Sequence, residues 1–335
     1  MRLVSNIEKV SRIDVLNNLI LLGTTSKELH GVMASGGDEI KLLQEGKLIS
    51  KKNIEFAKFH SFFEGVVYSE NEGEPVFYTD FENTIQVTDQ DYYIHPLQNR
   101  NLSKYAVLIE MDKNFNQTYF LLTEGFDKIS LPQFPKILLK DNFLFYNKSL
   151  VENYSLSTLE LQWKLEIDSS NQVERRNQGN AVFSDGVYVF VRLKGGKLVC
   201  VSLETGLKIW ELENEIEQVS FGEVGEFLYI HFGHGFNEVD KETGKITRSF
   251  LYDGVSGLES FSSNGIIWCF ENLLITRNSF TGDLAVFKRS DFNLIGRVVV
   301  DEAGIPESKD CIRYQDGYLY VLSSSSTAYI FQIEL

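Results

Sequence analysis

Cysteine and proline are both scarce in this 335-residue chain, with three and five residues. Cys200, Cys269 and Cys311 are odd in number and far apart. That excludes a disulfide framework and any zinc site readable from spacing. Few prolines beside 25 Phe and 15 Tyr favour strands over helices. Basic charge is short too: 32 Lys and Arg stand against 47 Asp and Glu, a formal charge of −15. A general attraction to nucleic acid or anionic lipid is thereby excluded, and a basic protein becomes the natural complement. No apolar run is long enough to span a membrane, and MRLVSNIEKVSRID lacks the apolar core of a signal peptide. These absences predict a soluble cytoplasmic protein with neither membrane nor nucleic-acid partner. The oligomeric state leaves no mark in the sequence.

Linear signatures of chemistry are missing as well. There is no Walker A sequence, no GxSxG elbow, no HExxH and no GxGxxG. His231 and His234 lie in YIHFGHGF, but on a strand residues three apart point to opposite sides. They read as surface or turn residues. No catalytic residue, metal ligand or cofactor is assigned, and the balance leans away from an enzyme. A propeller can still assemble a site from separate loops.

What is present is a rhythm. NNLILLG (17–23), EGVVYS (64–69), KYAVLIE (104–110), DNFLFYN (141–147), DGVYVFV (185–191), GEFLYIHF (225–232), ENLLITR (271–277) and DGYLYVLS (316–323) each follow a turn-forming residue. Each has strand-like neighbours on both sides. Eight such units, one per four-stranded blade, predict an all-β propeller, with seven blades the rival count. The last unit, from about residue 301 to 335, holds three strands. RLVSNIE, residues 2–8, is the predicted fourth, closing the ring. A single domain over residues 1–335 follows, with Phe62, Phe63, Phe77, Tyr78, Phe81, Tyr92 and Tyr93 read as packing between blades.

The clearest repeat is GGKLVCVSLETGLKIWELE, residues 195–213. It reads as a third strand, a tight turn and a fourth strand. Gly206 supplies positive φ, Thr205 can hydrogen-bond the turn backbone, and Trp210 points between sheets. Thr158 and Trp163 recur at the same spacing, and Thr243 and Gly244 repeat the turn with Arg248 at the tryptophan position. Over about residues 136–250 this pattern resembles the tryptophan-docking repeat of the PQQ-like, or quinoprotein dehydrogenase-like, β-propellers, related in style to WD40-like rings. The resemblance implies the scaffold. The vicinal cysteines of the family's quinoprotein enzymes are absent, so it implies a non-catalytic member.

Charge is uneven. Residues 59–99 and residues 209–240 each contain eight acids and no Lys or Arg, leaving the remainder near neutral. Glu70, Glu72 and Glu74 fall on a turn between second and third strands, and Asp89, Asp91, Glu215 and Glu217 fall on links between blades. In a propeller these loop types open onto one face, which would steer a cationic partner. The alternative role of such charge is solvation and protection of exposed edges. The sequence therefore predicts a protein-binding scaffold with an acidic loop face for a basic protein, one version being an immunity-type inhibitor of a toxin. A small-molecule, sugar or metal site at the central channel is the alternative, and a subunit role through an apolar patch the third.

Overall fold

The computed structural model describes residues 1–16, 19–25, 37–56, 58–62, 65–70, 75–88, 92–95, 105–113, 115–168, 172–173, 181–213, 221–232, 234–259, 261, 267–300, 304–306 and 311–334. Eight four-stranded antiparallel sheets account for the strands, and they are the blades of an all-β propeller. Among the described residues there is no α-helix, and none that could cross a membrane. The second strands are Leu19–Thr24, Gly65–Ser69, Ala106–Met111, Asn142–Tyr146, Tyr188–Leu193, Phe227–Phe232, Leu273–Arg277 and Tyr318–Leu322. Each falls on one of the eight apolar runs, so the count is eight and not seven. Several of these strands are almost wholly enclosed because both of their faces meet neighbouring sheets, as in Gly65–Ser69, Tyr188–Leu193 and Leu273–Arg277.

Seven of the sheets take their strands in chain order. The eighth does not. Arg2–Ile7 pairs antiparallel with Ala328–Gln332, which pairs with Tyr318–Leu322 and then Ile312–Gln315. The N-terminal strand thus occupies the outer position of the C-terminal blade, as the sequence predicts. Arg2 reaches across to Gln332 at 2.8 Å. This sheet is tied to the first one by Val10 N donating to Ser326 O at 2.7 Å and Gly46 N donating to the Tyr320 hydroxyl at 2.9 Å.

The chain contacts divide into two compact units. One comprises residues 144–309 with residue 1 and residues 334–335; the other comprises residues 2–143 and 310–333. In the second unit Leu21, Ile40, Phe56, Phe59 and Tyr68 form one inter-sheet core, and Phe62, Val67, Tyr92, Ala106 and Leu108 form the next. Phe77, Tyr78 and Phe81 pack against these cores. Phe62, Phe77, Tyr78, Phe81 and Tyr92 thus serve blade packing, Tyr93 is half-buried, and Phe63 lies outside the described residues. Burial on this scale follows from strands whose two faces are each pressed against another sheet about 10 Å away.

Deleting residues 1–8 removes the outer strand of the eighth sheet and leaves Ala328–Gln332 as a raw edge. The truncated chain should melt at lower temperature and self-associate, seen by differential scanning calorimetry and light scattering.

Candidate functional site

Within the unit 144–309, one arrangement repeats and fixes how each sheet meets the next. In the fourth sheet, Trp163 sits on the outer strand Leu161–Glu166. Its indole Nε1 donates to Leu203 O of the fifth sheet at 2.6 Å. In the fifth sheet, Trp210 on Lys208–Glu213 donates to Lys241 O of the sixth at 2.7 Å. Each indole also lies flat against the glycine of the receiving turn. A Cβ placed on Gly206 would stand 2.7 Å from Trp163 Cδ2, and one on Gly244 would stand 2.6 Å from Trp210 Cδ2. Both glycines have φ of +70°. The motif therefore needs glycine twice over, for backbone sign and for contact.

The threonines behave alike. Leu207 N donates to Thr205 Oγ1, Lys245 N to Thr243 Oγ1 and Glu160 N to Thr158 Oγ1, at 3.3–3.4 Å. The residue three positions earlier accepts from each threonine's own N–H: Ser155, Ser202 and Asp240. These are side-chain-closed turns of the kind Ser, Thr and Asp favour. In the fourth sheet Leu159 takes the glycine position at φ +60°.

The third docking uses different chemistry. Arg248, on the outer strand Ile246–Leu251, donates from Nη1 to Ser290 O at 2.8 Å and from Nη2 to Arg289 O at 3.3 Å. Its guanidinium lies 3.9 Å from the ring centroid of Phe292, which has φ of +59° and stands where the other turns have glycine. An arginine on an aromatic ring thus substitutes for an indole on a glycine. Buried Glu238 holds the guanidinium: Arg248 Nε and Nη2, Thr247 Oγ1 and the Tyr229 hydroxyl all donate to its carboxylate. Burial works to raise the Glu238 pKa, but the bonds from Arg248, Thr247 and Tyr229 and the Arg248 charge outweigh it and hold it below the usual value of 4.5. The Tyr229 hydroxyl is pushed upward, first by burial and then by the Glu238 charge.

The residue facing each docking side chain on the third strand contributes too. Asn153, opposite Trp163, donates to the same Leu203 carbonyl at 3.1 Å, and Cys200, opposite Trp210, approaches the Lys241 carbonyl at 4.0 Å. Burial, with a smaller push from Asp185, moves the Cys200 thiol up to about 12. It packs as a small apolar group and is no nucleophile. His231 departs from the sequence expectation of a surface or turn residue: it is fully buried, with its Nε2 bonded to the Tyr252 hydroxyl. His234 is exposed. The two do not converge, and among the described residues no three His, Cys, Asp or Glu gather as they would around a metal ion.

Of the sequence-derived partner residues, Glu70 is described and exposed, directly after the second strand of its sheet. Glu72, Glu74, Asp89, Asp91, Glu215 and Glu217 lie outside the described residues. Within the window 209–240, three acids meet cations. Glu211 meets Lys208 at 3.0 Å and Lys197 at 3.4 Å, Glu213 pairs with Lys197, and Glu238 with Arg248. Asp240 caps the Thr243 turn. Counting charge along the chain missed this, because Lys197, Lys208 and Arg248 stand outside the window or cross to it from the neighbouring strand.

No protein-family model matches this sequence, and no curated protein matches it. Solved structures do. BamB from Moraxella catarrhalis is similar with a TM-score of 0.59 and 11% identity, over 99% of this chain and 97% of that one. Sqt1 from Saccharomyces cerevisiae is similar with a TM-score of 0.60 and 10% identity, over the full length of both. The computationally designed Ika8 protein is similar with a TM-score of 0.57 and 12% identity, over 99% of this chain and 98% of that one. At these identities the likeness is one of fold.

Gly244→Ala should cost about 2–4 kcal/mol, from a left-handed alanine plus overpacking against Trp210. Gly186 also has positive φ, but a Cβ there would meet no atom within 4 Å. Gly186→Ala should cost only about 1–2 kcal/mol. Urea denaturation of the two variants measures the difference. Glu238 has a folded pKa below its unfolded one, so its contribution is complete above pH 4.5 and fades as pH falls through the folded value. Glu238→Gln should cost about 1–3 kcal/mol at neutral pH and flatten this part of the acid limb. Thermal melts of both proteins between about pH 3 and 7 test it.

Proposed function

We propose that this chain is a protein-binding scaffold whose second-to-third-strand turns and inter-blade links present carboxylates to a basic protein partner. The observation that carries this reading is exposed carboxylate on those loops. Enclosed acids of the strands are matched with cations, as Glu39 is with Lys41 and Lys51 and Glu238 with Arg248. Glu70 after a second strand and Asp253 in an inter-blade link are exposed and make no ion pair among the described residues. Glu72, Glu74, Asp89, Asp91, Glu215 and Glu217 add to the same loop classes by sequence position.

Carboxylates in loops on a rigid frame suit long-range steering, because the partner meets an organised field and little ordering entropy is lost on docking. The propeller fold shared with BamB and Sqt1 supplies such a frame. The Thr-Gly turns and docked tryptophans support a place among the PQQ-like propellers, and the three cysteines, none in a disulfide, are in keeping with a cytoplasmic location. An immunity-type inhibitor covering a basic toxin is the most specific version of this reading.

Affinity capture with the full chain, followed by stopped-flow association of the captured protein, tests it. The partner should be basic, and the association rate should fall by about 10-fold or more between low and physiological-to-high salt. The triple variant Glu70→Gln, Glu72→Gln, Glu74→Gln should slow association while leaving dissociation nearly unchanged. Capture of neutral or acidic partners alone would refute the reading.

A further inference from the structure

The link after the sixth sheet and the second-to-third turn of the seventh sheet are stapled together by one side chain. Arg297, on the outer strand Leu294–Val298, donates from Nη1 to Gly257 O at 3.1 Å and from Nε to Asp283 Oδ2 at 2.9 Å. Asp283 is buried and ends the turn that follows Leu273–Arg277. That turn is built like the docking turns. Gly282 N donates to Asn278 O at 3.0 Å, and Phe280 N and Thr281 N donate to Asn278 Oδ1. Arg277 Nε closes the other side by donating to Ile305 O.

The frame is thus fixed, and what it displays is apolar. Phe280, at the tip of the turn, is 84% exposed, and Val299, just past the outer strand and beside Asp283 in register, is 70% exposed. A phenylalanine held outward on a turn whose backbone is closed by Asn278 does not contribute to the core. The exposed charge of the stapled link is negative, while Arg277 at the foot of the turn donates to Ile305 O. Asp253 and Glu259 are exposed on the stapled link, and the positive charge of Arg297 is spent on Asp283. Glu259 is anchored by Gly257 N, which donates to its carboxylate at 3.0 Å. Its own and the Gly257 backbone N–H, with the Arg297 charge, hold its carboxyl below the usual range.

The geometry points to an interaction surface centred on Phe280 and Val299 that takes a protein segment carrying an apolar anchor flanked by Lys or Arg. An exposed aromatic on a preorganised turn is the residue type that carries binding energy at interfaces, and a carboxylate rim selects a cationic flank and repels anionic lipid. This inference rests on the scaffold reading and narrows it to one place and one partner chemistry.

The test pans a phage-displayed random peptide library on the intact chain and measures the enriched peptides by fluorescence anisotropy. Enriched sequences should combine an aromatic or large aliphatic residue with adjacent Lys or Arg. Phe280→Ala should weaken them by about 10-fold or more without moving the melting temperature, since the ring is solvent-exposed. Asp253→Asn with Glu259→Gln should weaken them by about 3- to 10-fold and remove most of their salt dependence. Phe115→Ala, which removes another exposed ring (80%), should change nothing. Peptides that lose affinity only in the carboxylate variant would overturn the apolar anchor while leaving the acidic scaffold standing. Peptides that lose affinity only with Phe280→Ala would overturn the cationic flank. No enrichment, acidic enriched sequences, or full affinity for Phe280→Ala would overturn the proposal outright.

Discussion

Among the described residues neighbouring blades are not joined by a strand ladder, so something else must set their spacing. In the unit 144–309 that constraint is an N–H donor on three of the four outer strands, aimed at a carbonyl in the next sheet's last hairpin. Trp163, Trp210 and Arg248 each supply it. In an otherwise apolar seam a directional bond is worth more than its net free energy suggests, because a misplaced sheet would leave a buried donor and a buried carbonyl unmatched. Apolar clusters such as Phe190, Trp210, Leu228 and Val239 fill the seam, but packing alone would tolerate sliding.

The arginine version shows what the constraint requires. It asks for a planar, nitrogen-bearing side chain that covers a turn residue with positive φ and reaches the carbonyl behind it. An indole does this over glycine; a guanidinium does it over Phe292, at the cost of burying a counter-charge. Glu238 is that counter-charge. Its extra bonds from Tyr229 and Thr247 keep a buried carboxylate satisfied, the condition under which such pairs are tolerated.

A frame held this way leaves its loops at liberty to serve binding. Acids of the strands and docking turns such as Glu238 and Asp240 are drawn into the frame's own hydrogen bonds and ion pairs. Glu70 and Asp253 on the loops make no ion pair among the described residues. Glu70, Asp253 and Phe280 face solvent beside strands and turns that are already held in place, so a partner would meet them with little reorganisation.

Periodicity was legible along the chain because a strand's apolar run and its turn residues are local. The eight second strands, the closing strand Arg2–Ile7, and the roles of Thr205, Gly206, Trp210, Thr158, Trp163, Thr243 and Gly244 could all be read in this way. The Thr281-Gly282 pair in NSFTGD carried the same turn signal and could have been read too. What remained hidden were relations between residues far apart in the chain: which carbonyl each indole meets, that Phe292 replaces a glycine under Arg248, and that His231 turns inward to Tyr252. Which acids pair was hidden for the same reason, since Lys197 meets Glu211 and Glu213 only once two strands lie side by side. Local chemistry determined the blades; only their stacking decided which charges and rings were left facing water.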